Sequence, residues 1–417
     1  MVMNRLKKII YTNKVSKETF WTIISKLIFI VSGLFFIIFI PKAASIEIYG
    51  SFSLILAYIS MLGLLFGTSF QVSIKKEITE NKFNKIAQEM FYKSLKLKML
   101  FSFFASIFLF LFLCFVNIAV LKENFWLFIL LMVSINLWGS VVIYFEAAHR
   151  LVYNAIIYFI EYFFQISLIL VFFFFGNLNL QTLLISFILG YSLSFLAGFI
   201  ILHNKFTSSF QGFLQNKPDL AKIILQRAFF LSLTGISYII LSKVSVVMLS
   251  FLSGVKEVGL YSIAADTTQN AIIISAPIIL GVMPLFIKNN SELLFKKTIK
   301  KIALINIGLF LFFLFLSNPI VKIIYGDGFE NVGLLIKFLG LFPLLAVLQS
   351  FTQEILILKD KTKKIFIFGL FAALINIVLN FLLIPLFGIY GAAIATITSY
   401  FIWFSLEYIY LTKYIKV

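Results

Sequence analysis

The sequence is poor in charge, in cysteine and in histidine. Only 12% of its 417 residues are charged, against 61% that are hydrophobic, whereas an ordinary soluble domain carries about 25% charged residues. A fold dissolved in water could not cover that much apolar surface, so lipid is the solvent the composition demands. The single cysteine, Cys114, excludes an internal disulfide, and two histidines, His149 and His203, are too few for a Cys/His metal cluster. No metal or cofactor is expected. There is no Walker A lysine motif, no nucleotide-binding glycine loop and no pair of catalytic carboxylates, so an enzyme is not expected either. Acidic residues number 17 against 35 Lys and Arg, a formal net charge of +18. In a soluble chain that surplus would suggest nucleic acid. Here the basic residues fall in alternate loops between apolar runs, and nucleic acid is not an expected partner.

A membrane-spanning helix needs about 20 mostly apolar residues. Twelve stretches qualify: 20–40, 50–74, 99–120, 125–145, 152–175, 180–202, 229–251, 260–287, 302–321, 333–357, 365–385 and 389–411. The runs are continuous rather than alternating, so strands are not expected, and helices alone satisfy their backbone within lipid. The expected fold is an all-α integral membrane protein of about twelve transmembrane helices. The first run is preceded by basic residues, as in a signal peptide, but it is too long for one and reads as a retained span.

Orientation follows from the loops. On one side of the membrane lie 28 Lys and Arg residues; on the other lie five, Lys42, Lys122, Lys256, Lys322 and Lys337; Lys26 and Lys243 lie within spans. The positive-inside bias places both termini in the cytoplasm of a bacterial inner-membrane protein. The chain also repeats itself faintly. Glu47-Ile48-Tyr49-Gly50-Ser51-Phe52-Ser53 is echoed by Glu257-Val258-Gly259-Leu260-Tyr261-Ser262, and Phe175-Gly176-Asn177 by Phe387-Gly388-Ile389. Two halves, 1–205 and 206–417, would each hold six spans. An even number makes the lobes parallel, with a transport path between them and alternating access by rocking.

Charges at bilayer depth cost at least about 2.5–3.5 kcal/mol each and are functional candidates by default. Lys26 lies about 9 Å from the cytoplasmic end of the first span, and Lys243 about 12 Å from the outer end of the seventh. Asp266 lies about 9 Å from the outer end of the eighth span, near the depth of Lys243, and a Lys243–Asp266 pair is expected. Glu161, with Gln165 one turn on, either pairs with Lys26 or holds a proton. Glu354 sits with Gln349, Thr352 and Gln353 near the inner end of the tenth span. Glu146 and Arg150 have the spacing of a helical pair, and Arg227 stands at the cytoplasmic start of the seventh span. Asn376 and Asn380, four apart, share one helix face. Trp21, Tyr49, Trp126, Trp138, Tyr144, Trp403, Tyr408 and Tyr410 read as interface anchors.

The segment from Asn376 to Thr396, with Asn380, Pro385, Gly388 and Gly391, resembles the penultimate-helix signature of bacterial polysaccharide flippases. These are the Wzx-type O-antigen and capsule transporters of the MATE-like MOP superfamily. Glu257–Ala264 and Ile48–Ser53 look like the same family. Pro385 and Gly388 would end the helix, and Gly391, Ala392, Ala393 and Ala395 would allow close packing. One departure is that Lys243 and Ser245 stand in the seventh span where many relatives carry an acidic residue. The resemblance implies a polyprenyl-pyrophosphate-linked oligosaccharide as substrate, H+ or Na+ as coupling ion, and polysaccharide polymerase machinery as a partner. It implies a substrate path touched by Lys26, Lys243, Arg227, Asn376 and Asn380, with Asp266, Glu161 and Glu354 in coupling or charge pairing. A drug or cation exporter is the rival within transporters, and would want an acidic cavity; a peptidoglycan-precursor flippase usually has fourteen spans. A membrane glycosyltransferase or polymerase is the rival of another class, and would need a catalytic outer loop. The one polar outer loop of note is Gly326-Asp327-Gly328-Phe329-Glu330.

The orientation is checked by reporter fusions. A fusion after residue 290 is expected to report from the cytoplasm and one after residue 124 from the outside, and the opposite pair of signals inverts the topology.

Overall fold

The computed structural model describes residues 2–66, 85–205, 235, 237–288 and 292–415. Among these there is no strand. In chain order the helices are α1 (Val2–Ala43), α2 (Ile46–Phe66), α3 (Lys85–Phe115), the short α4 (Ala119–Glu123), α5 (Phe125–Ala147), α6 (Leu151–Phe174) and α7 (Leu180–Lys205). They continue as α8 (Ser237–Leu252), α9 (Val255–Asn270), α10 (Ala276–Lys288), α11 (Glu292–Tyr325), α12 (Glu330–Leu339), α13 (Phe342–Leu358), α14 (Thr362–Phe387) and α15 (Ile389–Tyr410). Eleven helical stretches among the described residues are long and apolar enough to cross a membrane, with α8 a shorter apolar helix at the place of the expected seventh span. The expected all-helical membrane fold is what the chain adopts.

Two expected spans are broken. The eighth is α9 and α10 joined by a 3-10 turn, Ala271–Ile274. Thr267, Thr268, Gln269 and Asn270 precede the turn, and Pro277 follows it without an N–H to donate. The tenth is α12 and α13, interrupted at Gly340–Leu341, with Pro343 in the first turn of α13, where a missing N–H costs nothing. Of Pro385 and Gly388, the two residues expected to end their helix, Pro385 does not, since α14 runs through it to Phe387. Gly388 ends it instead, at φ +56°, a left-handed conformation in which a Cβ is strained. Its repeat partner Gly176, after α6, has φ +69°. Both Phe-Gly motifs thus end a helix with a positive-φ glycine, Gly388 as the cap of α14 and Gly176 one residue past the cap of α6.

The chain forms two compact units. Unit 1 holds residues 1–36 and 62–232, and unit 2 holds 37–61 and 233–417. In unit 1, α5, α6 and α7 pack on one another, and Phe91, Val141, Tyr144, Phe145, Ile157 and Leu202 form an apolar core. In unit 2, α14 and α15 form a close pair, with α13 against α15. Here Gly391, Ala392, Ala393 and Ala395 are all buried, as their small size suggests. A Cβ on Gly391 would collide with the backbone at Leu383 and Ile384.

Residues 37–61, from the first half of the sequence, group with unit 2, and the repeated motifs explain the attachment. The start of α2 lies on the start of α9, glycine against glycine. A Cβ on Gly50 would meet the Gly259 backbone N at 2.8 Å, and one on Gly259 would meet Cγ2 of Ile46 at 2.7 Å and the Ile46 backbone. Neither site can yield, because backbone faces backbone. Gly50→Val and Gly259→Val are each expected to lower the melting temperature of the purified protein in detergent by several degrees. Gly308→Ala, at a helical glycine with open space around it, is the control expected to leave it unchanged.

Candidate functional site

In unit 2 the ionisable groups gather where α2, α8 and α9 carry their polar residues. Asp266, on α9, is half-buried. Its Oδ2 accepts a hydrogen bond from the Tyr49 hydroxyl at 2.9 Å. The expected direct Lys243–Asp266 pair is therefore corrected. Lys243 is near enough to act on Asp266 by its charge, but among the described residues it forms no ion pair with it, and the Tyr49 O–H takes the contact. Tyr49, read as an interface anchor, is buried and is the partner of that carboxylate. The same unit ties the end of α1 to the end of α11: the Tyr325 hydroxyl donates to the Ile37 carbonyl at 2.9 Å, and Lys42 Nζ to the Ile324 carbonyl at 2.7 Å.

A turn away from Lys243, the Thr396 hydroxyl shares hydrogen bonds with the hydroxyls of Ser245 (3.1 Å) and Tyr261 (3.0 Å). Beside this network is a cavity of about 20 Å³ lined by Ser242, Tyr261, Gln269 and Thr396, among others. It has room for one water. Asn376 and Asn380 are fully buried on one face of α14, as their spacing requires. Asn380 Nδ2 donates to Asn376 Oδ1 (3.0 Å) and to its carbonyl (2.8 Å), which leaves Asn376 Nδ2 and Asn380 Oδ1 without partners.

In unit 1 the polar centre is Glu161 on α6. It is 0% exposed, and neither of its carboxylate oxygens has a hydrogen-bond partner; the same holds for both amide atoms of Gln165, one turn on. Gly190 on α7 makes room for this pair, since a Cβ there would press on the Gln165 side chain and the Glu161 carbonyl. Aromatic rings wall it in: Trp138 packs on Tyr158 (5.5 Å between centroids) and Tyr191 (5.2 Å), and Tyr158 stacks on Tyr162. Lys26 is exposed on α1. No ion pair joins it to Glu161 among the described residues, so that alternative fails. An ionised carboxylate so placed would forfeit its solvation without return.

Several assignments shift. Glu354 is exposed, while Gln349 and Thr352 turn the other way, toward Glu407 on α15. α5 ends at Ala147 and Arg150 lies beyond a turn through His149 (φ +47°), so Glu146 and Arg150 are not one helical turn apart on a common helix. Trp138 and Trp403 are internal: Trp403 is fully buried beside Tyr400 and Phe342. Trp126, 75% exposed, keeps the anchor reading. Arg227 lies outside the described residues. Sequence reasoning missed two groups. Lys98, counted with a loop, is 1% exposed inside α3, where Nζ donates to the Asn136 carbonyl at 3.2 Å. Glu407 is the other; the signal for it was the Gln349–Thr352 pair on a facing helix.

A polytopic all-helical membrane protein with ionisable groups sealed inside each unit is the class this geometry defines. The chain belongs to the family described as polysaccharide biosynthesis protein, which it matches over residues 15–290. Among curated protein sequences there is no significant match. The fold is similar to that of the lipid II flippase MurJ in an inward closed conformation, with a TM-score of 0.74 at 14% identity over 96% of this chain and 87% of that one. It is also similar to an inward-facing multidrug resistance MATE family transporter of the MOP superfamily, with a TM-score of 0.67 at 12% identity and 93% of each chain covered. The MATE transporter VcmN of Vibrio cholerae gives a TM-score of 0.64 at 11% identity, with 97% of each chain covered. The fold is similar to that of these MOP superfamily and MATE transporters.

Since no cation pairs with Glu161 among the described residues and the Gln165 amide is the donor that acts on its carboxylate, its charge adds little to the fold. Glu161→Gln is expected to leave the melting temperature unchanged or raised, measured by thermal unfolding in detergent. A fall of roughly 4 °C or more would reveal a stabilising contact of the carboxylate.

Proposed function

We propose that the protein carries a polyprenyl-pyrophosphate-linked oligosaccharide, an O-antigen or capsule repeat unit, from the cytoplasmic to the outer leaflet of a bacterial inner membrane. It does so by alternating access between an N-terminal and a C-terminal lobe, with both termini in the cytoplasm, and delivers the unit to the polysaccharide polymerase machinery outside. The observation that carries this reading is Lys243. It stands in an apolar helix, half-buried and without an ion pair among the described residues, with Asp266 held by Tyr49 rather than by the lysine. A basic group at bilayer depth, near Asp266 yet not bonded to it, is suited to a diphosphate, whose oxygens would give it charge-assisted hydrogen bonds. Exposed Lys26 supplies a further donor for phosphate and sugar hydroxyls, and the buried Asn376 Nδ2, which has no partner among the described residues, is a donor held in reserve. The family description supports polysaccharide biosynthesis as the setting, and the similar fold of a lipid II flippase supports a lipid-linked cargo.

Transport against a gradient needs a coupled ion. Glu161, with four unpartnered polar atoms between it and Gln165, is the group in unit 1 that loading by H+ or Na+ would neutralise. A drug or cation exporter is the competing reading. The similarity to MATE transporters and the carboxylates Glu161 and Asp266 favour it.

The test is the sidedness of lipid-linked oligosaccharide in cells lacking the protein and complemented with variants. The intermediate is expected to accumulate facing the cytoplasm without the protein. Lys243→Ala is expected to restore roughly a tenth or less of wild-type surface polysaccharide, the loss of one charge-assisted contact, and Lys243→Arg most of it. Exchange of the two charges, Lys243→Asp with Asp266→Lys, is expected to fail. Full surface polysaccharide in the null strain together with lost dye efflux would overturn the substrate and favour the exporter.

A further inference from the structure

Unit 2 contains a second sealed carboxylate that lies apart from Lys243 and Asp266. Glu407, on α15, is 0% exposed. Its Oε2 accepts a short hydrogen bond from the Thr352 hydroxyl, 2.6 Å, and its two oxygens lie 3.4 and 3.5 Å from Gln349 Nε2. That amide nitrogen makes its better bond, 2.8 Å, to Gln353 Oε1. Gln349, Thr352 and Gln353 follow one another on a single face of α13. Thr352 is fully buried and Gln349 nearly so.

Among the described residues, everything that touches Glu407 is neutral, the Trp403 indole N–H included. Charged groups of the surrounding elements are exposed or engaged elsewhere, and Lys413, past the end of α15, is exposed. On α13, Glu354 is exposed. On α14, Lys364 lies over the Tyr410 ring, 5.5 Å from its centroid. On α11, Lys296 pairs with Glu292 at the exposed surface, 2.6 Å away. Tyr408 of α15 stacks on Phe295. No Lys or Arg among the described residues forms an ion pair with Glu407. A carboxylate in that position, removed from water and given only neutral donors, calls for a positive charge.

The oxygens needed to hold one are present. Two come from Glu407, one from Thr352 and one from Gln353. A half-turn of the Gln349 amide would replace its distant N–H groups with Oε1, since an amide offers either face. Such a set of carboxylate, hydroxyl and amide oxygens suits a hard, singly charged cation. We propose that Glu407, Thr352, Gln349 and Gln353 form a binding site for a small monovalent cation, a proton or an alkali ion. Binding stands on this geometry alone. A role in coupling rests on the transport reading above.

The experiment uses the purified full-length protein in detergent. A ligand that binds the folded state raises the melting temperature with its concentration. In one arm, LiCl, NaCl and KCl are titrated against choline chloride at constant ionic strength and pH. In the other, pH is varied in choline chloride alone. An alkali site predicts a melting temperature that rises with one of the three salts. A proton site predicts no salt selectivity and a melting temperature that falls as pH rises. In either case the response is expected to be absent in Glu407→Gln, and Thr352→Val is expected to require about tenfold more of the cation, or to shift the pH response. Should Glu407→Gln not fold, Thr352→Val carries the comparison. Identical responses in wild type and variants overturn the site. If the response vanishes in Glu407→Gln while oligosaccharide transport shows no dependence on that cation, the site stands and its coupling role falls. A drug-efflux outcome in the null strain would change the cargo and leave the cation result untouched.

Discussion

Every polar group that these helices carry into the bilayer has to find its partner inside the protein, because lipid offers neither donors nor acceptors. The backbone meets that demand by staying helical along the described spans, with turns between them and at the breaks in the eighth and tenth. Side chains meet it locally: serines and threonines bond back to carbonyls three or four residues earlier, as Ser140 and Thr298 do, and Asn380 bonds to Asn376. Buried groups left short remain on several helices, Asn154, Asn306 and Ser317 among them, and the ones that lie side by side are Glu161 with Gln165 in unit 1 and Asn376 with Asn380 in unit 2.

The same demand explains how much of the fold was legible in the sequence. A continuous apolar run has a single solution in lipid, so the spans could be read from composition. The breaks in the eighth and tenth spans were less visible. Asn270, Gly340 and Pro343 are small perturbations within long hydrophobic windows, and only the local loss of hydrogen bonds shows that the helix has stopped. Pro385 misled in the other direction. It sits in the last turn of α14, where the helix tolerates it, and the stop belongs to Gly388.

The sites were legible as residues and illegible as partnerships. Depth along a helix follows from counting, which placed Lys243 level with Asp266, but the rotation of each helix does not. Tyr49 therefore intervened unseen, and Glu354 was chosen where Glu407 was meant. Gln349 and Thr352 were noticed for the right reason, since polar residues at that spacing serve something. What they serve lies 55 and more residues further along the chain, and no local pattern reports it. Lys98 was hidden by the opposite error, a lysine assigned to a loop because lysines are common there.

The crossing of Gly50 over Gly259 has a consequence for how the gene can change. Each glycine is opposed by the backbone of the other segment, so a side chain gained on one cannot be absorbed by trimming a side chain on the other. Compensation, the usual route by which contacting residues drift apart, is closed at this point. Of the places where the two halves resemble each other, 47–53 with 257–262 is the one that backbone contact holds in place, by the absence of two methyl groups.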